Sequence, residues 1–271
     1  MRQVYAALLD EEIYLCSWRS MYRLLGVHQE VRERRNLRRH PVYTKPELAA
    51  DGPNQVWTWD ITYLKAEIRG KFYYLYVIVD LFSRYVVGWM LADRECAELA
   101  RRLLEQTCRK WGIAPSTLTV HSDRGAPMKS RSVKQLYILL GVTPSYSRPR
   151  VSNDNPFSES GFKTMKYSPD FPERFGSQAE AEIFCKAYFN NYNNAHYHTG
   201  IALLTPAQVY RGEAKVILAK RQETLDAAFA EDPKRFGNRR PKVTSLPKIV
   251  WINRPAEQIS KSGIAEPAKA A

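Results

Sequence analysis

With 271 residues, 44% of them apolar, the chain can bury one substantial domain with appendages, or two small ones. Its 41 Lys and Arg against 28 Asp and Glu give a formal charge of +13, which favours a polyanionic partner, nucleic acid ahead of a membrane surface. No apolar run approaches a bilayer span and acids follow Met1 where a signal peptide needs apolar residues, so the sequence reads as soluble, cytoplasmic and nucleoid-associated.

The charge is densest at the two ends: net +3 over residues 1–50, +4 over 51–210 and +6 over 211–271. Residues 12–40 read as helical and end in VRERRNLRRH, whose Arg34, Arg35, Arg38 and Arg39 are candidate phosphate contacts. A Pro-punctuated linker over 41–53 follows. VWTWDITYL then alternates, with Trp57, Trp59, Ile61 and Tyr63 on one face and Thr58, Asp60 and Thr62 on the other. KFYYLYVIVDLFS and RYVVGWMLA complete a three-stranded antiparallel meander, with Asp80 as a hairpin-turn acid. CAELARRLLEQTCRKWG is a helix closed by Gly112; TLTVHSD is a short buried strand; SRSVKQLYILLG is a second helix ended by Gly141; VTPSYS is a fifth strand. Two helices follow, one carrying Glu159 and opened by Asn155 as a cap, the other capped by Ser177 with Glu180 completing a capping box. The order predicts a mixed five-stranded sheet flanked by helices, an α/β fold with a small helical N-terminal segment. The core spans 54–212, and residues 213–271 read as a basic C-terminal extension whose last ten residues are disordered. Cys16, Cys96, Cys108 and Cys185 are scattered and read as free thiols.

Three carboxylates stand out. Asp60 lies mid-strand on a polar face, Asp123 closes the fourth strand, and Glu159 begins a helix. If the first and fourth strands are neighbours, the two aspartates face each other, and one helix, one strand and a loop return Glu159 to the same edge. Each alone reads as an ordinary edge, turn or first-turn acid. Together they would repel one another unless a cation neutralised them, and oxygen-only ligands select Mg²⁺, with Mn²⁺ as a substitute. Two such ions ~3.5–4 Å apart serve phosphodiester chemistry. Lys163 and Lys166 share one side of the helix with Glu159, as DNA contacts or as a solvated stripe. His121 shares the side of Asp123; it either adjoins the ions or is a satisfied packed histidine. His196 and His198 have the spacing of a metal pair, but a structural or DNA-contacting role is favoured.

WTWDIT, VDLFSRYVVGW, HSDRGAPM, SRPRVSNDNPFSESGFKTMKY and YNNAHYHTGIALLTPAQVY resemble the catalytic core of the insertion-sequence-three family of bacterial transposases, over about Asn54 to Tyr210. The resemblance implies a ribonuclease H-like fold of the retroviral-integrase type. It also implies an Asp-Asp-Glu triad at Asp60, Asp123 and Glu159, two ions per site, and Mg²⁺-dependent 3′-end cleavage and strand transfer on double-stranded DNA, both element ends and target. Partners implied are further copies of the chain on DNA and a second transposase reading-frame product. Family members carry more sequence upstream, including a complete helix-turn-helix; residues 1–40 correspond to its second part, so the amino end is expected to be partial. Two other readings are a nuclease of the same fold and a non-catalytic DNA-binding remnant. The basic ends favour a transposase over the first, and three placed carboxylates argue against the second.

Overall fold

The computed structural model describes residues 1–28, 30, 43–149 and 151–255. Arg34, Arg35, Arg38, Arg39 and the last ten residues lie outside this set. Residues 1–43 and 44–271 form two compact units. In the first, α1 (Arg2–Asp10) precedes the stretch read as helical over 12–40, and within that stretch the described residues form one helix, α2 (Trp18–Val27); residues 29 and 31–40 of it lie outside the described set. The break between the two helices includes Glu12 at φ +61°, and Ser17 opens α2 by accepting the Ser20 N–H.

The second unit is built on five strands: β2 (Val56–Lys65), β3 (Phe72–Asp80), β4 (Val86–Ala92), β5 (Thr119–Ser122) and β6 (Thr143–Tyr146), in spatial order β4-β3-β2-β5-β6. The first three form an antiparallel meander, while β5 and β6 add in parallel. A mixed five-stranded sheet covered by helices is the expected architecture. A separate two-stranded ribbon pairs β1 (Leu48–Ala50), inside the stretch read as linker, with β7 (Val250–Ile252), inside the stretch read as extension.

Helices cover both faces. The odd-numbered residues of β2 point to one side, where Trp57 and Trp59 are fully buried against α3 (Ala97–Lys110) and α4 (Arg131–Leu140). Trp59 Nε1 donates to Tyr137 Oη of α4 at 3.2 Å, satisfying the indole in the interior. The even side of the sheet packs under α5 (Pro156–Lys166) and α6 (Gln178–Asn194) through Leu64, Leu75, Val77, Met165, Cys185 and Phe189. Thr58, on this second side, is therefore as buried as the tryptophans. A third apolar cluster joins the ribbon to the hairpin and to the segment around α7 (Pro206–Tyr210) and α8 (Ala214–Glu231). Among the described residues no helix is long and apolar enough to cross a membrane.

The chain's punctuation follows the expected residues at Gly141, Asp80 and Ser177 and differs at Glu180. Gly141 ends α4 at φ +62°, a left-handed position open to glycine. Asp80 anchors the β3–β4 hairpin: its buried carboxylate accepts the Ser83 N–H and Oγ–H and the Asn54 N–H. Ser177 caps α6, but Glu180 does not close a capping box; its carboxylate reaches past Ser177 to the Gly176 N–H at 2.8 Å.

Gly88 is where β4 meets α3. A Cβ there would run into Thr107 Oγ1 and lie 3.0 Å from its Cγ2. Gly88→Ala is expected to lower unfolding free energy by about 1–3 kcal/mol, the usual scale for overpacking. The double variant with Thr107→Ala should destabilise by less than the two single effects added, as read by urea denaturation.

Candidate active site

Strand register brings the two aspartates together. In the parallel β2–β5 pair Trp59 lies opposite Ser122, so Asp60 and Asp123 are each the next residue along neighbouring strands. Asp60 Oδ1 accepts the Ile61 N–H at 2.8 Å and Asp123 Oδ1 accepts the Gly125 N–H at 2.9 Å, which orients both carboxylates. Glu159 arrives on α5. Pro156 starts this helix at a position where its missing N–H costs nothing, and Glu159 follows in the positive first turn. Ser158 Oγ donates to Thr58 Oγ1 at 3.2 Å, tying the residue before Glu159 to the strand that carries Asp60.

Asp60, Asp123 and Glu159 line one cavity of about 380 Å³. They do not close to ligand spacing: among the described residues no group of three or more His, Cys, Asp or Glu side chains is placed to hold a metal ion. Burial pushes the Asp60 acid from 3.8 to about 7, and the charges of Asp123 and Glu159 push the same way. Burial also raises Glu159. An oxygen-only donor set in which one carboxylate is half-neutral beside two like charges fits a hard divalent cation, which would remove the repulsion.

Three further residues line the cavity: Arg124 and Arg148, which the sequence reading did not single out, and Asn155, which it read as a helix cap. Arg124 and Arg148 line it with the three carboxylates, and the Arg148 guanidinium is paired with Asp154. Arg124 Nε donates to Ser147 O at 2.7 Å. Asn155 is 2% exposed, yet neither its Oδ1 nor its Nδ2 has a hydrogen-bond partner, and it makes no cap bond to α5. The expected capping role is thus not fulfilled, and the amide stands at the cavity wall. Of these, only Arg124 stands next to a triad acid in the sequence, following Asp123 directly.

Lys166 Nζ donates to Thr62 Oγ1 at 2.7 Å, on the side of β2 that bears Asp60, and burial lowers its pKa. Lys163 is exposed on the same helix, and neither lysine lines the carboxylate cavity. His121 is the satisfied packed histidine. It is fully buried, with Nδ1 3.0 Å from Ser145 Oγ and Nε2 2.8 Å from Asp154 O, and burial lowers its pKa. His198 accepts the Gly200 N–H and is pushed down to about 4 by burial and by Arg84, while His196 stacks on Tyr192. Both are explained by local packing.

The family model described as Integrase core domain matches residues 50–152, and a second model of that description matches 140–206. Residues 50–206 are an integrase core domain. The transposase for insertion sequence element IS904 of Lactococcus lactis is 35% identical over 159 residues, covering 58% of this chain and 61% of that protein. Transposase InsF for insertion sequence IS3A of Escherichia coli is 34% identical over 168 residues, covering 60% of this chain and 56% of that protein. The resemblance to insertion-sequence transposases is borne out over this core, and the chain spans about three fifths of each relative's length. Among solved structures, a chain of the simian T-cell lymphotropic virus intasome in complex with PP2A regulatory subunit B56 gamma superposes with a TM-score of 0.49 at 20% identity, covering 63% of this chain and 60% of that one. The HTLV-2 integrase catalytic core domain gives 0.44 at 17%, covering 59% and 97%.

The raised Asp60 acid makes the integrase core's stability depend on pH. The folded state keeps a proton that the unfolded chain releases above 3.8, so this contribution is full below about pH 4 and is lost as pH rises through about 7. Without divalent cations, Asp60→Asn should melt above the wild type at pH 8 and level with it at pH 4. A gain of 1 kcal/mol corresponds to roughly 2–4 °C in a domain of this size. Added Mg²⁺ or Mn²⁺ should raise the wild-type melting temperature at pH 8 and leave that of Asp60→Asn nearly unmoved. Differential scanning calorimetry at the two pH values reads both effects.

Proposed function

We propose that this protein is a DNA transposase that cleaves the 3′ ends of a mobile element and joins them to target DNA. The observation that supports this reading most directly is the convergence of Asp60, Asp123 and Glu159, from β2, β5 and α5, on one cavity of an integrase core. The three carboxylates would hold one or two Mg²⁺ ions, which when bound activate the attacking water or 3′-hydroxyl and stabilise the leaving oxygen.

The chain's own residues perform the rest. Asp60, half-buried, lines the cavity from β2 with its Oδ1 held by the Ile61 N–H. Glu159 lies on the helix that Ser158 pins to Thr58, which fixes where its backbone stands relative to the strand of Asp60. Arg124 and Arg148 supply cationic donors to the non-bridging oxygens of a phosphodiester entering beside them. The Asn155 amide offers a donor and an acceptor to the same DNA strand. Lys163 and Lys166 extend the cationic surface along α5 for the flanking phosphates, and Arg34, Arg35, Arg38 and Arg39 add non-specific affinity from the amino end. The protein acts in the cytoplasm on double-stranded DNA, as an assembly of several copies, because joining two ends to a target requires more than one site on the DNA.

Glu159→Gln keeps the shape of the side chain and removes the anion. It should lower cleavage and joining of labelled element ends in Mg²⁺ by roughly 10³-fold or more, about 4 kcal/mol of barrier, while DNA affinity stays within about twofold. Cleavage at the wild-type rate by this variant would remove the basis of the reading. A chain that cleaves but never joins is a nuclease of the same fold.

Lys163→Ala should weaken binding similarly for all sequences and reduce the slope of log affinity against log salt by about 1. Fluorescence anisotropy with element-end and scrambled duplexes across a salt series measures both.

A further inference from the structure

The C-terminal strand runs back to the site. Val250 and Ile252 of β7 are buried in the third apolar cluster, and β7 pairs with β1 through Leu48 opposite Ile252. Asn253 follows at φ +55°, a left-handed conformation that asparagine tolerates. The two N–H bonds of its Nδ2 are both used, to Pro46 O at 3.0 Å and to Asp154 Oδ1 at 2.8 Å.

Asp154 is fully buried immediately before Asn155 and α5. Arg148 grips the same carboxylate, Nε to Oδ2 at 2.9 Å and Nη2 to Oδ1 at 3.0 Å, and its backbone N–H adds a third bond. From the other side His121 Nε2–H donates to the Asp154 carbonyl. Asp154 thus joins β5, the loop after β6, the start of α5 and the C-terminal strand. Asn253 itself does not line the carboxylate cavity.

We infer that Asn253 is a positioning residue for the carboxylate site, acting through Asp154 to set the start of α5 and with it Asn155 and Glu159. The strand β7 within the basic extension is then part of the catalytic unit, and the inference rests on the transposase reading. Loss of the Asn253 amide leaves Asp154 paired with Arg148, so the fold persists while the start of α5 loses one of its anchors.

Two variants of the full chain test this. Asn253→Gly keeps the left-handed backbone and deletes the amide. Asn253→Asp keeps the shape but sets a carboxylate against Asp154, whose own acid is held down at about 2 by Arg148. The charged and titratable groups facing this pair are Arg148 and His121. In Asn253→Gly, hydrogen exchange should accelerate in peptides covering α5 and stay unchanged in peptides covering α3. Its kcat for end cleavage in Mg²⁺ should fall about tenfold, the scale of one lost bond to a charged group, at unchanged DNA affinity. In Asn253→Asp, activity relative to wild type should climb as pH falls from 8 to 6, because protonation of the new acid restores an O–H donor. A role confined to stability would leave that ratio flat. Unchanged exchange in α5, or wild-type kcat in Asn253→Gly, overturns the inference. A wild-type chain that leaves DNA uncut in Mg²⁺ defeats the transposase reading instead, and the exchange data then decide by themselves whether Asn253 holds α5.

Discussion

Parallel pairing carries β2 and β5 side by side as far as Trp59 opposite Ser122, and the next residue on each strand is an aspartate. Two backbone ladders thus force two like charges together where burial has already weakened their hydration, and Glu159 is added from above. The cost appears in Asp60, whose acid is pushed up to about 7. A fold accepts such a cost only where the rest of the structure over-determines it. Here the opposing forces are the fully buried Trp57 and Trp59 on one face of β2 and the Thr58–Ser158 hydrogen bond on the other.

The third carboxylate depends on a different anchor. A helix start has unsatisfied N–H groups and frays unless held. At α5 the Asn155 side chain does not supply the cap. Asp154 holds the turn just before the helix instead, through Arg148, His121 and Asn253. His121 therefore contributes by being neutral and fully bonded: its Nε2–H serves the Asp154 carbonyl, which leaves Nδ1 to accept from Ser145. With the turn held from outside, the Asn155 amide is left without partners on the cavity wall.

The sheet was legible because its signals are local. Alternation along VWTWDITYL, β-branched runs in the next two strands and glycines after two helices follow from the backbone periods and the steric freedom of glycine. Asp60, Asp123 and Glu159 were legible because each sits at a recognisable position, mid-strand, strand end and first helical turn, in an order that only one simple topology brings together. Thr58 was less legible. It reads as the polar side of a half-exposed strand, but α5 covers that side, and its hydroxyl became an anchor.

What the sequence alone determined is what periodicity, capping chemistry and residue type encode over a few neighbours: the element order, the mixed sheet, the basic ends and the three acids. The tertiary structure decided everything that needs two distant segments to meet. Pro46 and Asn253 are joined across almost the whole second unit, and Asp154 meets Asn253 from the far side of α6 and α8. No local pattern specifies such hydrogen bonds, because their donors and acceptors come together only after burial of Val250 and Ile252 has brought the C-terminal strand back to β1. The same holds for Asn155. A helix-start asparagine normally caps its own helix, and only the surrounding packing leaves this one unpaired at the cavity of Asp60, Asp123 and Glu159.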